Sequence, residues 1–305
     1  MQALDARGVG KRYGKTAALD DLNLSVRPGE VFGFLGANGA GKTTFTRCAA
    51  GLIRPTSGEV LVGGHDVRKQ RKAALSRLGI VPDQYELYPE LTAPQHLRLF
   101  GRLRGLRGDA LESRIHETMR IIGMEPNADK PASAFSHGMK QRTCIGIAIL
   151  HKPALIILDE PTNGLDPRGA FELRQLIRGL ASQGCAVFLN SHVLSEVEQV
   201  CDRVAILHKG RLIAVGTQDE LRARLGGTGG TRIRLANPSA ALLKAAQAVV
   251  PGVRTSGKDA LEVPGSAEVV SKALRAVTAA GGVVKGMEST GSSLEDAYLR
   301  LTGGP

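Results

Sequence analysis

The chain contains no Trp and only four Tyr and seven Phe among its 305 residues, so it has little with which to build the aromatic platform on which nucleic-acid bases stack. No apolar run approaches the roughly 20 residues that a membrane-crossing helix needs. The N-terminus shows no charged segment followed by an apolar block, so neither a pore-forming span nor a secretion signal is expected. Cysteine is also scarce. Cys48, Cys144, Cys185 and Cys201 have no paired metal-site spacing, and their mostly apolar surroundings suit reduced core filler in a cytosolic protein.

The chain does have enough apolar content for a sizeable core. With 42% hydrophobic residues, 305 residues can form one large domain and a small one. Lys and Arg outnumber Asp and Glu by 40 to 29, a formal charge of +11, and the isoelectric point is near 9.8. Such an excess favours anionic company: nucleotide, lipid headgroups or nucleic acid. The basic residues are dispersed, apart from one group at Arg68, Lys69, Arg71 and Lys72 and another at Arg98, Arg102, Arg104 and Arg107. Each group reads first as a solvated helix face, second as a membrane-proximal surface and third as a nucleic-acid contact.

The run Gly36, Ala37, Asn38, Gly39, Ala40, Gly41, Lys42, Thr43, Thr44 fits the pattern G-x-x-x-x-G-K-[ST]. Its glycines leave the backbone uncrowded, so consecutive N–H groups can turn inward around phosphate oxygens at the mouth of a helix. Lys42 then reaches the β- and γ-phosphates, and the Thr43 hydroxyl is placed to ligate Mg²⁺. The flanks agree: Glu30 to Leu35 reads as a buried strand, and Thr43 to Ala50 can continue as a helix.

A second strand, Leu155 to Glu160 (LIILDE), is apolar for four residues and delivers two carboxylates at its C-terminal end, the edge where open parallel sheets bind ligands. Asp159 would hold Mg²⁺, through a water, and Glu160 would take a proton from the water that attacks the γ-phosphate. Alternatively the pair ends a core strand and caps the next turn.

Together with the phosphate loop, the stretch FSHGMKQRTCIGIAILHKPALIILDEPTNGLDP from Phe135 to Pro167 resembles the ATP-binding subunit of an ABC transporter, in which a signature loop precedes the strand that carries the metal-binding Asp and the catalytic Glu. The resemblance implies roles for further residues. Ser136 and Gly138 look like the signature pair that bonds the γ-phosphate held by the opposite subunit; His137 stands where a glycine-like residue is usual. GMKQR resembles the drug-exporter branch. Asp166, in NGLDP, looks like the residue of the loop that crosses the dimer interface, and His192, in LNSHVLSEVE, like the switch histidine. A lone His after an apolar strand is otherwise more often structural. Tyr13 resembles the aromatic that stacks on adenine, although an exposed Tyr beside two basic residues could equally be surface.

Gly79 to Thr92, GIVPDQYELYPELT, resembles the loop that contributes a Gln near Mg²⁺ and contacts the membrane subunit. Aligning on Pro82 and Leu87-Tyr88-Pro89 places Asp83 in the Gln position, with Gln84 one residue later, and the register stays open. Downstream, Gly226-Gly227-Thr228-Gly229-Gly230 is expected to be a linker. Residues 1–225 then form the ATPase domain, with a helical subdomain at about 84–150, and 231–305 form an accessory domain. The latter reads β-α-β-β-α-β, the order of a ferredoxin-like split unit, followed by a last helix opened by a capping box at Ser292 to Glu295.

The expected fold is an α/β phosphate-loop ATPase with a helical insert and a small C-terminal α+β domain. The resemblance implies an ATP- and Mg²⁺-dependent energy-coupling subunit of an exporter of the drug, lipid or polysaccharide type. It would pair head to tail with a second copy and sit on the cytoplasmic face of the membrane through a separate permease, with no specific nucleic acid. The rival is a soluble ATPase of the same class acting on nucleic acid or ribosomes, whose members carry tandem ATPase domains, long coiled coils or zinc insertions that this chain lacks.

Overall fold

The structure, a computed structural model, describes residues 1–224, 230–265 and 267–289. Its contacts divide the chain into two compact units, Met1–Val215 and Gly216–Pro305.

In the first unit, strands β1 (Leu4–Tyr13) and β2 (Thr16–Val26) form a hairpin. The next strand, β3 (Val31–Leu35), is buried at every position, as its uninterrupted apolar sequence requires of a strand covered on both faces. Helix α1 (Lys42–Ala49) follows it directly. Then come β4 (Ser57–Val62), β5 (His65–Asp66), α2 (Arg71–Leu75) and β6 (Leu78–Val81). A helical segment is built from α3 (Ala93–Leu103), α4 (Gly108–Ile121) and α5 (His137–Ile149). Thr92 caps α3 reciprocally with Gln95, satisfying two of the N–H groups that a helix start leaves unpaired. The unit closes with β7 (Leu155–Asp159), α6 (Pro167–Ser182), β8 (Ala186–Ser191), α7 (Leu194–Val200), β9 (Arg203–His208) and β10 (Arg211–Gly216), whose last residue is counted in the second unit.

Two sheets result. One has the order β2-β1-β4-β5 and is antiparallel; the other has the order β10-β9-β3-β8-β7-β6 and is parallel from β9 through β6. Four of the seven Phe lie in one cluster under the phosphate loop: Phe34 is 5.2 Å from both Phe45 and Phe188, and Phe32 stacks on Phe188 at 5.8 Å. The few aromatics are thus spent on joining β3, β8 and α1 rather than on a surface platform.

The second unit starts with α8 (Gln218–Arg224), then β11 (Gly230–Leu235), α9 (Ala240–Val249), β12 (Arg254–Ser256), β13 (Ala260–Pro264), α10 (Ala267–Ala279) and β14 (Val284–Ser289). Its sheet order is β12-β13-β11-β14, antiparallel throughout, which is the ferredoxin-like arrangement. Ile233, Leu242, Val263, Ala273 and Val277 share its own apolar core. Gly230, assigned by sequence to the linker, is the first residue of β11 and pairs with Pro264. The rest of that linker and the helix expected from Ser292 lie outside the described residues.

None of the four cysteines forms a disulfide. Burial pushes Cys48 and Cys185 up to about 11 and Cys144 up to about 12, and raises Cys201 as well. Such shifts keep the thiols protonated at neutral pH; Cys48, Cys144 and Cys201 are buried and Cys185 is half-buried. No helix among the described residues is long and apolar enough to cross a membrane.

Candidate functional site

The carboxyl ends of β3, β6, β7 and β8 face one edge of the parallel sheet. The register fixes their relations: Leu35 pairs with Ser191, Val81 with Leu158, and Asp159 with Asn190. Each strand therefore releases its next residues at the same level, and a cleft of about 640 Å³ forms there, lined by the loop from Ala37 to Thr44 together with Asp83, Gln84, Asp159 and Glu160.

The loop needs its glycines for identifiable reasons. Gly41 has φ 113°, and a Cβ on it would lie 2.6 Å from the Ala18 carbonyl oxygen; at Gly36 a Cβ would lie 2.7 Å from that of Leu207. Only a residue without a side chain lets the chain turn this tightly into α1. Lys42, the first residue of α1, is 7% exposed. Its ammonium donates to the Gly36 carbonyl at 2.5 Å and lies 3.8 Å from the Glu160 carboxylate. Burial lowers its pKa, against the opposing pull of Glu160 and Asp159.

Glu160 adopts φ 47°, the left-handed region, which costs a residue with a Cβ on the order of 1–2 kcal/mol. The conformation is held from two sides. The Glu160 N–H donates to the Asn190 carbonyl at 2.9 Å, and the carboxylate accepts from His192 Nδ1 at 2.9 Å and the His192 backbone N–H at 3.3 Å. A carboxylate only accepts, so the His192 proton sits on Nδ1, leaving Nε2 as the outward nitrogen. Asp159 is half-buried; burial raises its pKa, the Asn190 amide opposes this, and the charges of Glu160 and Asp83 add to it.

Three carboxylates thus repel one another at the cleft, with Lys42 opposing them. That charge balance fits a divalent cation arriving with a polyphosphate. Among the described residues no cluster of three or more His, Cys, Asp and Glu side chains could hold a metal alone.

Ser136, His137, Gly138 and Asp166 do not join this cleft. They line a second one of about 450 Å³. Ser136 caps α5, its hydroxyl accepting from the Met139 N–H, and Asp166 caps α6, accepting from the Gly169 N–H at 2.8 Å. His137 donates from Nε2 to the Asn163 carbonyl at 2.9 Å and faces Tyr85 with ring centres 6.3 Å apart. Its ring is therefore turned toward the loop that ends at Asp166, so the bulk at this position ties two loops together. Tyr13 is 50% exposed and outside the lining of either cleft, with the Lys11 ammonium 5.1 Å from its ring centre.

Two contacts were not assigned from the sequence. Glu196 on α7 accepts from the Thr162 hydroxyl, tying the turn after Glu160 to the helix after His192. Asn190 reaches both Asp159 and α1. A polar residue closing the apolar run VFL was the available signal.

A family profile described as ABC transporter matches residues 19–163. The daunorubicin resistance ATP-binding protein DrrA3 of Streptomyces coeruleorubidus is 37% identical over 99% of this chain and 96% of its own length. The bacitracin transport ATP-binding protein BcrA of Bacillus licheniformis is 43% identical over 70% of this chain and 69% of its own. Among solved structures, an ATP-binding subunit of an ABC transporter superposes with a TM-score of 0.66 at 32% identity, covering 73% of this chain and 93% of its own. CbiO1 of Clostridium perfringens, part of the transporter complex CbiONQ, gives 0.68 at 29% identity, covering 73% and 91%.

Proposed function

The chain belongs to the ABC transporter family as an ATP-binding ATPase subunit, and from that premise we propose that it powers an exporter by hydrolysing ATP at the cleft of Lys42, Asp159, Glu160 and His192. Relatives named for drug resistance and antibiotic transport support export. The observation that carries the mechanism is the convergence of a buried ammonium and two carboxylates at the open ends of the parallel strands.

In this reading the loop amides and Lys42 hold the β- and γ-phosphates. Thr43 and Asp159 would hold Mg²⁺, which when bound neutralises charge on the β- and γ-phosphates. Glu160, oriented by the Nδ1–H of His192, takes the proton of the attacking water. The outward His192 nitrogen faces the γ-phosphate. Because Ser136, Gly138 and Asp166 line a separate cleft, a second copy set head to tail would supply them to this nucleotide in trans. The subunit would work on the cytoplasmic face of the membrane, held there by its permease. Tyr13, half-exposed at the end of β1, would stack on the adenine.

The test of export is to measure ATPase activity with the permease in vesicles, and separately with DNA, RNA and ribosomes at physiological salt. Stimulation by the permease alone is expected. Saturable stimulation by nucleic acid or ribosomes would move the rival reading ahead, and such binding should weaken steeply with salt.

Asp83 and Gln84 both line the cleft, and alignment on Pro82 and Leu87-Tyr88-Pro89 supports Asp83, rather than Gln84, as the loop residue that faces metal and water. Asp83→Gln should leave hydrolysis largely intact, Asp83→Ala should impair metal-dependent turnover, and Gln84→Ala should do little. Damage from Gln84→Ala with a silent Asp83→Ala would establish the shifted register.

A further inference from the structure

Asn190 is the last-but-one residue of β8 and is 0% exposed. Burying a primary amide in a sheet core is unfavourable unless its hydrogen bonds are made. Here they are made selectively. Nδ2 donates to the Thr46 hydroxyl at 2.5 Å and to Asp159 Oδ1 at 3.2 Å, whereas Oδ1 is buried with no hydrogen-bond partner in the protein. The orientation is fixed by chemistry: an ionised Asp159 only accepts, so the nitrogen must face it. The backbone of the same residue accepts from the Glu160 N–H at 2.9 Å. One residue therefore touches the carboxylate of Asp159, the backbone of Glu160 and the helix that begins with Lys42. For stability alone an apolar side chain would suit this position better, as Val187, Phe188 and Leu189 do just before it.

We propose that Asn190 is a positioning residue for the metal-binding carboxylate: its amide pins Asp159 Oδ1 toward α1, which leaves Oδ2 as the oxygen presented to the cleft and sets the distance between Asp159 and the phosphate loop. The proposal rests on the reading of Asp159 as the carboxylate that meets Mg²⁺. Outer partners of metal-binding carboxylates typically change metal affinity about 10–100-fold when removed. Asn190→Leu keeps the branched shape in a somewhat larger volume and removes the donor; Asn190→Ser keeps a shorter donor that can partly restore the contact.

The experiment uses the full chain and Mn²⁺ as a paramagnetic probe, titrated in the presence of ADP and followed by electron paramagnetic resonance, beside nucleotide affinity measured in EDTA and a melting curve. Asn190→Leu should weaken Mn²⁺ binding by about 10–100-fold, Asn190→Ser should fall between it and the wild type, and the metal-free affinity should stay within a factor of about two, since Lys42 and the loop amides are untouched. Asp159→Asn is run in parallel. If it weakens Mn²⁺ binding and Asn190→Leu does not, Asn190 is core filling and the proposal is overturned alone. If Asp159→Asn leaves Mn²⁺ binding unchanged, the metal assignment falls and takes the proposal with it. Loss of metal-free affinity in Asn190→Leu together with a collapsed melting transition, while Asn190→Ser melts normally with unaltered Mn²⁺ binding, also overturns it.

Discussion

Glu160→Gln is expected to lower ATP turnover by roughly 10²–10⁴-fold, the usual size of a general-base contribution, while ATP binding is kept. The geometry explains both halves. Gln has the same shape, and its carbonyl oxygen can still accept from His192 Nδ1, which lies 2.9 Å from the carboxylate in the native protein. The left-handed backbone at Glu160 is anchored by its own N–H on Asn190 and does not depend on the charge. What is lost is the ability to accept a proton. A negative charge 3.8 Å from Lys42 is also lost, which frees that ammonium for the phosphates, so affinity should hold or rise. With hydrolysis blocked, ATP should drive the variant into a dimer in gel filtration, and adding Ser136→Arg should abolish that dimer by filling the second cleft with a bulky cation. Near-normal hydrolysis by Glu160→Gln would sink the general-base assignment. A monomer under every condition would mean that Ser136 and Gly138 need the permease to meet the opposite nucleotide.

Lys42→Ala should instead fail at binding. The ammonium is nearly buried and already desolvated, as its lowered pKa reflects, so little further solvation is lost when a triphosphate replaces the Gly36 carbonyl as its partner. Hydrogen bonds to charged groups contribute about 1.5–3 kcal/mol, which corresponds to about 10–150-fold in affinity. Removing Lys42 also leaves Asp159 and Glu160 facing the phosphates uncompensated, so the effect should sit at or beyond the upper end of that range. Titration calorimetry on Lys42→Ala and Glu160→Gln separates the two roles: an unchanged ATP affinity for Lys42→Ala would remove Lys42 from the phosphate site.

The strands that carry the site were legible because their sequences are uninterrupted apolar runs ending in polar residues. VFGFL ends at the phosphate loop, and LIIL ends at Asp159. A buried parallel strand permits little else, so local composition and function coincide there. The split order of the second unit was legible for a similar reason, each element being short, patterned and bounded by Gly, Pro or Ser. The phosphate loop followed from its glycines: the φ of 113° at Gly41 and the carbonyl 2.6 Å from its missing Cβ are local demands that a sequence records locally.

Other features depend on residues far apart in the chain, and for these the sequence carries no local trace. That Asn190 meets Asp159 follows from the pairing of β7 with β8, and that it meets Thr46 follows from α1 packing beside β8 through Phe45 and Phe188. The separation of Ser136, Gly138 and Asp166 from Lys42 into a second cleft is likewise a matter of how α5 and α6 stand on the sheet. Tyr13, assigned to adenine by motif alone, is an exposed residue at the end of β1 under the Lys11 ammonium, while Ala18 of the paired strand β2 reaches the cleft lining. The sequence by itself determined the family and offered the phosphate loop and the two carboxylates as the site, since each is encoded within a few consecutive residues. Only the tertiary structure decided which Asp159 oxygen meets the Asn190 amide, which His192 nitrogen meets Glu160 and that Ser136, Gly138 and Asp166 line a cleft apart from Lys42, since these are set by distances between elements that the chain order does not contain.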